Sequence, residues 1–272
     1  MSVTPSRSPP PTGGRAVPFR GGGFQAAPRR LVPWIVLVAI FAAWELASSQ
    51  GWLPGQFMPA PSAIAMALRE LFDNGTLGRH VGWSLSRIGL GWLLGTTAGL
   101  AVGLAMGIFS VARAAGLPVV SALFPIPKIA LLPLFILWFG IGEPSKVATI
   151  AFGVFFPTVI AAYAACDSVP RGLIRMGQSF GLPARHIVWK ILIPGAMPGI
   201  LSGFRITASI ALILVVAAEM IGAQYGIGAF ILSAGNLMLM DQLLAGVTLL
   251  SVLGLAVGIV LGFIERSVLE WR

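Results

Sequence analysis

The chain has 272 residues, of which 57% are hydrophobic and 10% are charged, and its formal net charge is +9. Soluble domains carry roughly 25% charged residues, so this composition excludes an ordinary soluble domain and indicates a membrane protein. The single cysteine, Cys166, excludes an intrachain disulfide.

Residues 1–30 differ from the rest of the chain. They are rich in proline, glycine, serine and arginine, and they contain no apolar run that resembles the core of a secretory signal. This composition predicts a disordered basic N-terminal tail without a specific partner.

Six apolar runs follow, and they predict a transmembrane domain over residues 31–272. Each is close to the ~20 residues that a helix needs to cross a bilayer. All six are predicted to be helices, because no water is available to the backbone inside the membrane. The third run contains four prolines and is therefore predicted to be bent or broken. The runs are residues 31–47, 86–109, 117–139, 147–165, 199–221 and 243–264.

Residues 51–83 separate the first two spans and contain a short amphipathic pattern over residues 63–72. In the orientation predicted below, this segment lies on the outer side of the membrane. Ser62 is predicted to cap this helix and Asn74 with Gly75 to end it. The helix is expected to lie at the outer membrane interface.

Glycines recur every four residues in the second span, at positions 91, 95, 99, 103 and 107, and again in the last span, at 246, 254, 258 and 262. Small residues at this spacing lie on one helix face and let another backbone approach closely. The pattern fits either packing inside the bundle or a face that meets a second subunit.

Basic residues predict the orientation, because positively charged loops stay in the cytoplasm. Placing the N-terminus inside puts most of the 18 lysines and arginines on the inner side, and it also puts the C-terminus there. The net charge is thus explained by topology, and it gives no indication of nucleic-acid binding. The inner basic residues are Arg7, Arg15, Arg20, Arg29, Arg30, Arg113, Arg171, Arg175, Arg185, Lys190, Arg266 and Arg272.

The polar segment between the fourth and fifth spans lies on the same inner side. Pro170 is placed to begin a helix there, and Gly181 is placed to end it in a left-handed conformation. Pro183 is expected to begin a second short helix that ends at Ile193, just before Pro194. Two such helices form a protrusion that another protein can bind.

Charged residues inside the spans are costly and therefore informative. Pro127 and Lys128 lie in the broken third span, and Lys128 is predicted to line a pathway for an anionic solute. Glu219, near the outer end of the fifth span, is a second candidate for the pathway. The alternatives are structural: Lys128 and Glu219 satisfied by internal partners, and Arg205 snorkelling to the inner interface. Arg87 and Arg205 add positive charge at the two ends of the bundle, which favours an anion.

No catalytic residue or metal ligand is predicted. The two histidines, His80 and His186, fall on opposite sides of the membrane, and the sequence contains no phosphate-binding loop with lysine and no serine nucleophile elbow. We therefore expect no enzymatic activity and no cofactor in this chain.

The polar segment also carries a recognisable spacing, Glu-Ala-Ala-x3-Gly-x9-Ile-x-Leu-Pro. Gly181, Ile191 and Pro194 match it, whereas residues 175–177 read Arg-Met-Gly and Ile193 replaces the leucine. With residues 125–142 and 218–228, this segment resembles the permease subunits of bacterial ABC importers, in the group that includes nitrate, taurine and aliphatic sulfonate permeases. The resemblance covers roughly residues 31–270.

The resemblance implies an all-α membrane protein with six transmembrane helices, the type I ABC importer permease fold, in the bacterial inner membrane. Two permease copies, by default a homodimer, would form one pathway for a sulfonate, nitrate or similar oxyanion. A periplasmic solute-binding protein would deliver the solute, and two separate ATPase subunits would hold ATP-Mg. The loop 166–198 would couple permease to ATPase, with Phe180, Ile187 and Trp189 as apolar anchors. Its implied coupling residues are Arg175, Gly177, Phe180, Gly181, Pro183, Arg185, Ile191 and Pro194.

Three alternatives remain at this point. A self-contained secondary transporter or channel often shows an internal inverted repeat, which this sequence lacks. A membrane enzyme is disfavoured by the missing histidine, cysteine and acidic clusters. A permease of the same family for a vitamin or pyrimidine precursor stays open.

Overall fold

The computed structural model describes residues 31–269, which form eleven α-helices and no β-strand. The predicted basic tail, residues 1–30, lies outside the described residues. The helices are α1 Val32–Ser49, α2 Pro61–Asp73, α3 Thr76–Ile108, α4 Ser110–Leu123, α5 Leu132–Phe139, α6 Glu143–Asp167, α7 Arg171–Ser179, α8 Ala184–Ile187, α9 Ile193–Glu219, α10 Ile227–Asn236 and α11 Met240–Val268.

Five of the described helical segments are long and apolar enough to cross a membrane, and the bent pair α4–α5 brings the number to six when it is counted as one span. The predicted all-helical fold with six spans is therefore confirmed. The observed helices are longer than several apolar runs, because more polar residues continue the helices at their ends. The run 86–109 lies in α3, which begins at Thr76, and the run 199–221 overlaps a helix that begins at Ala184.

The third span is broken, as its prolines predict. The axes of Ser110–Leu123 and Lys128–Phe139 differ by 86°. Pro125 and Pro127 lie in the break and have no backbone N–H to donate. Pro118 lies inside α4, which continues past it to Leu123. Pro133 lies in the first turn of α5, where a missing N–H costs little. These two prolines therefore do not cause the break.

The centre of the bundle is formed by α3, α6 and α9. The α3 glycines face α6: a Cβ added at Gly99 would lie 2.7 Å from the Phe155 carbonyl oxygen, and one added at Gly107 would lie 2.6 Å from the Cβ of Cys166. Packing within the chain is therefore the role of the α3 glycines, and the alternative of a subunit-facing surface is wrong for this helix.

The glycines of α11 behave differently. Gly246 packs against Phe230 and Ile231 of α10, whereas a Cβ added at Gly258 would meet nothing within 4 Å. A Cβ added at Gly254 or Gly262 would lie 3.5 Å from Leu212 or 3.1 Å from Arg205 of α9, so among the α11 glycines only Gly258 faces open space in the described structure.

The amphipathic helix α2 begins at Pro61, with Ala60 as its N-cap residue, so the prediction that Ser62 caps it is wrong. The Ser62 hydroxyl instead donates to Glu45 Oε1 at 2.7 Å and ties α2 to α1. Asn74 and Gly75 end the helix as predicted, with Gly75 at φ +71°. The apolar face of α2 packs against Ala245 of α11.

Candidate functional site

The first helix of the polar segment ends as the sequence predicts. α7 follows Pro170 and stops at Gly181, which has φ +70°. The Gly181 N–H donates to the Gln178 carbonyl at 2.9 Å and the Leu182 N–H donates to the Gly177 carbonyl at 3.1 Å, which is the Schellman pattern. No atom lies within 4 Å of a Cβ added at Gly181, so the backbone conformation requires the glycine and the available space does not.

The second helix is not the isolated short helix that we expected. α8 follows Pro183, continues through a π-helical turn, Val188–Leu192, and runs into α9 across Pro194. In a π turn each N–H bonds to the carbonyl five residues earlier. This changed pattern lets the helix continue past Pro194, which has no N–H to donate. Residues 184–219 therefore form one helical segment of 36 residues, about 54 Å long, that begins in the polar segment and ends at the other side of the bundle.

Gly177 lets the two helices of the polar segment meet. A Cβ at this position would lie 2.9 Å from Ile191 Cδ1 and 3.5 Å from Ile187 Cγ1. Ile187 and Ile191 are consequently half-buried between the helices. Ile187, which the resemblance implies to be an apolar anchor, thus packs mainly inside the segment and holds its two helices together.

Large apolar side chains nevertheless cover the outside of the segment. Phe180 is 77% exposed and Trp189 is 70% exposed, and Leu173 and Met176 are exposed beside them. Leu173, Met176 and Phe180 follow helical spacing along α7, a signal that the sequence analysis did not use. Exposed apolar groups ringed by cations are typical of a protein-binding surface. We call it the coupling surface, and its exposed members are Leu173, Arg175, Met176, Phe180, Pro183, Arg185, Trp189 and Lys190.

The predicted pathway residues lie at two separate places. Lys128 follows Pro127 at the break in the third span and is half-buried. Its ammonium donates to the carbonyl oxygens of Leu123, at 3.3 Å, and Phe124. It also lies 5.1 and 5.3 Å from the ring centroids of Phe124 and Phe156.

Glu219 is the centre of a buried polar network, and it is only 1% exposed. Ser84 and Arg87 of α3 donate to its carboxylate at 2.7–2.9 Å, and so does the Gly228 N–H at the start of α10. Lys128 and Glu219 share none of these partners, so the described structure does not bring the two candidates together.

Arg87 extends this network to α6. Its Nε and Nη2 donate to the two oxygens of Glu143 at 2.5 and 2.7 Å, while Nη1 donates to Glu219 at 2.7 Å. Lys146 is also buried here and donates to the Gly142 carbonyl at 3.0 Å. We call Ser84, Arg87, Glu143, Lys146 and Glu219 the outer polar cluster.

Ion pairing in the outer polar cluster removes one reason to expect an anionic cargo, namely unpaired positive charge at the ends of the bundle. Its two cations are balanced by two carboxylates, so Arg87 presents no free positive charge at the end of the bundle. Arg205 is not a free cation either, because its Nη2 lies 3.0 Å from Glu265 Oε2 of α11. Glu143 and Ser84 were not predicted from the sequence, although charges near the same end of three spans indicated such a network.

A helical bundle with a broken apolar helix pair, polar groups at both ends and an exposed apolar surface surrounded by cations has the architecture of a membrane transport permease. Residues 95–270 match the family of binding-protein-dependent transport system inner membrane components. The taurine transport system permease protein of Escherichia coli K12 is 32% identical over 87% of this chain and 88% of its own length. Putative aliphatic sulfonates transport permease proteins of Escherichia coli K12 and Bacillus subtilis 168 are 33% and 32% identical, over 89% and 86% of this chain and over 92% and 84% of their own lengths.

The fold also matches solved structures. Two crystal forms of the MetNI methionine ABC transporter in inward-facing conformations superpose with TM-scores of 0.60 and 0.59, at 24% and 25% sequence identity. They cover 70% and 71% of this chain and 94% and 95% of their own.

The chain therefore belongs to the family of binding-protein-dependent transport system inner membrane components, and the resemblance to ABC importer permeases is confirmed. It is a permease with the type I importer fold and is a transport component of the inner membrane. This membership decides against a self-contained secondary transporter or channel, because the family works with a solute-binding protein.

Proposed function

We propose that this permease imports an organic sulfonate or a similar oxyanion in an ATP-driven complex. The observation that carries the proposal is the similarity to taurine and aliphatic sulfonate permeases along nearly nine-tenths of the chain. The charge of the bundle does not carry it, because Arg87 and Arg205 are both paired.

The coupling surface binds a separate ATPase subunit in this proposal. Phe180 and Trp189 supply apolar area, and Arg175, Arg185 and Lys190 surround it with charges that steer association. Two ATPase subunits hold ATP-Mg, and one coupling surface binds to each. Since one chain offers one such surface, a second copy of the same chain completes the permease.

The continuous helix from Ala184 to Glu219 transmits motion of the coupling surface to the rest of the bundle. A displacement of the coupling surface by the ATPase moves this helix as a rigid rod, and α3 and α6 follow because the outer polar cluster joins their far ends. Rigid-body motion of the core then opens the pathway to alternate sides.

The proposed orientation rests on the basic residues of the inner loops. The coupling surface faces the cytoplasm, as do both termini, and the outer polar cluster faces the solute-binding protein. Pro127 and Lys128 form the pathway wall at the break, and Glu219 is a second pathway residue at the outer end of the bundle, where the outer polar cluster holds it.

The test is transport by the complete complex in proteoliposomes, reconstituted with its ATPase and its binding protein. Uptake of labelled taurine, an alkanesulfonate, nitrate and a neutral pyrimidine precursor is compared with ATP and with ADP. We expect ATP-dependent uptake of the sulfonates only when the binding protein is present. Uptake of the pyrimidine precursor alone would overturn the cargo assignment, and uptake that needs neither ATP nor the binding protein would overturn the importer.

A further inference from the structure

The end of α4 leaves backbone carbonyl oxygens without donors. The last four carbonyls of any helix lack an intrahelical N–H, and at membrane depth a polar backbone group without a partner is costly. Here Pro125 and Pro127 remove two of the donors that follow the helix. The remaining bonds are Phe124 N–H to the Val120 carbonyl at 2.8 Å and the weaker Ile126 N–H to the Leu123 carbonyl at 3.3 Å.

The Lys128 ammonium occupies the place of the missing donors. It reaches back over the break and donates to the carbonyls of Leu123 and Phe124. A cation at this end also opposes the negative end of the helix dipole. The rings of Phe124 and Phe156 flank the ammonium, and Phe156 belongs to α6.

One side chain therefore contacts the end of α4 and the neighbouring helix, and its own backbone begins the turn into α5. Beyond that turn, Leu132 is fully buried, and Phe135 packs on Phe152 of α6 with ring centroids 5.7 Å apart. α5 is thus fixed on one side by α6, and its angle to α4 depends on how the break is held.

We propose that Lys128 is a positioning residue: it caps α4 and holds the 86° bend of the broken span, and so sets the shape of the pathway wall. Its ammonium is committed to backbone carbonyls, and its contribution to transport passes through the direction of α5. This inference rests on the permease function and not on the identity of the cargo.

The experiment measures the bend directly in the complete complex in lipid nanodiscs. Spin labels are placed at Val111 of α4 and Leu137 of α5, which are 80% and 79% exposed, in a Cys166→Ala background. Labelled copies are diluted with unlabelled ones so that distances within one chain dominate. α5 is about 12 Å long, so a swing of ~30° moves its far end by roughly 6 Å, which the measurement resolves.

We expect Lys128→Met, which keeps the length but removes the donor, to shift and broaden the distance distribution. Lys128→Arg keeps a cationic donor and should restore the wild-type distribution. Arg205→Met is the matched control, because it removes a cation that pairs with Glu265 on α11 and has no contact with the break; it should leave the distance unchanged.

Uptake measurements distinguish a positioning role of Lys128 from direct contact between Lys128 and the cargo. If Lys128 positions α5, Lys128→Met lowers uptake of an anionic alkanesulfonate and of zwitterionic taurine by the same factor, and Lys128→Arg restores both. An unchanged distance distribution in Lys128→Met overturns the proposal, and so does a selective loss of the anion with an unchanged bend. Should Lys128→Met fail to accumulate, Lys128→Leu, which also lacks a donor, is judged by the same criteria. If the cargo assignment is wrong, the wild type takes up neither compound. The distance between the two spin labels still tests whether Lys128 holds the bend.

Discussion

Arg87 shows how a single side chain joins three membrane helices. It is 2% exposed, and its guanidinium meets Glu143 at the start of α6, Glu219 at the end of α9 and the Tyr225 carbonyl in the loop that follows. A buried ion is tolerated only when it is paired and its donors are satisfied. The planar fork of arginine supplies donors in several directions at once, which lysine does not.

Replacing Arg87 by methionine should therefore destabilise the permease strongly. The change leaves Glu219 buried without its cationic partner, and losing one partner of a buried pair costs about 3–5 kcal/mol. The readout is the thermal unfolding midpoint of the purified protein in detergent, which should fall clearly. Arg69→Met is the control, because its pair with Asp73 is 3.8 Å long and exposed and is worth about 0–1 kcal/mol. Equal midpoints for the two variants would contradict the structural role of the cluster.

A substitution of Phe180 tests whether the coupling surface binds the ATPase. We expect Phe180→Asp to leave membrane insertion intact, since the side chain is exposed in this chain, and to weaken ATPase binding, because a charge replaces an apolar contact. Removing a central aromatic side chain from a protein interface typically costs about 2 kcal/mol or more, which is roughly a 30-fold loss of affinity.

The measurement is co-purification of the ATPase together with ATP hydrolysis stimulated by the loaded binding protein. Gln178→Asp, an exposed neighbour on α7, introduces the same charge without removing apolar area and should behave like the wild type. Wild-type values for Phe180→Asp in both assays would show that the ATPase binds elsewhere.

Among the helices, the contact between α3 and α6 depends on the glycine ladder. A Cβ at Gly99 would lie 2.7 Å from the Phe155 carbonyl oxygen and 2.8 Å from Thr158 Cβ, both closer than real contacts allow. Because a backbone atom is the obstacle, a rotamer change does not relieve it, and the two helices must separate.

Gly99→Ala is accordingly expected to destabilise the bundle by about 1–3 kcal/mol, the usual cost of overpacking. Gly89→Ala on the same helix provides the control, because its added Cβ would meet nothing within 4 Å. Thermal unfolding in detergent compares them, and Gly89→Ala should match or exceed the wild type. A Gly99→Ala protein as stable as Gly89→Ala would mean that the two helices do not approach as closely as described.

The elements also show which features were readable from the sequence. The spans, the break at Pro125 and Pro127, and the left-handed stop at Gly181 follow from local backbone chemistry, so the sequence predicts them. The fusion of α8 with α9 depends on a π turn that tertiary packing stabilises, and a proline at position 194 argued locally for a stop. Arg87 and Glu143 are 56 residues apart in sequence, and nothing local indicates that they meet.

The whole molecule has two different polar ends. At one end lie the coupling surface, the Arg113–Asp167 pair at 3.3 Å and the end of α3. At the other lie the outer polar cluster and the His80 contact with the Gly226 carbonyl at 2.8 Å. The helix Ala184–Glu219 connects the two ends, so the placement of any one loop fixes the orientation of all of them.

Reporter fusions test that orientation. Because each crossing reverses direction, the proposed topology requires strict alternation of reporter location along the chain, and the basic inner loops set its sign. An alkaline phosphatase reporter is active only outside and a fluorescent protein only inside, so each position is scored by two opposite signals. The expected cytoplasmic positions are after Ile108, Ala165 and Arg272, and the expected outside positions are after Asn74, Pro144 and Asn236. The Ala165 fusion is decisive, because it stands just before the coupling surface: an outside signal there would place that surface away from the ATPase and would reverse the proposed coupling.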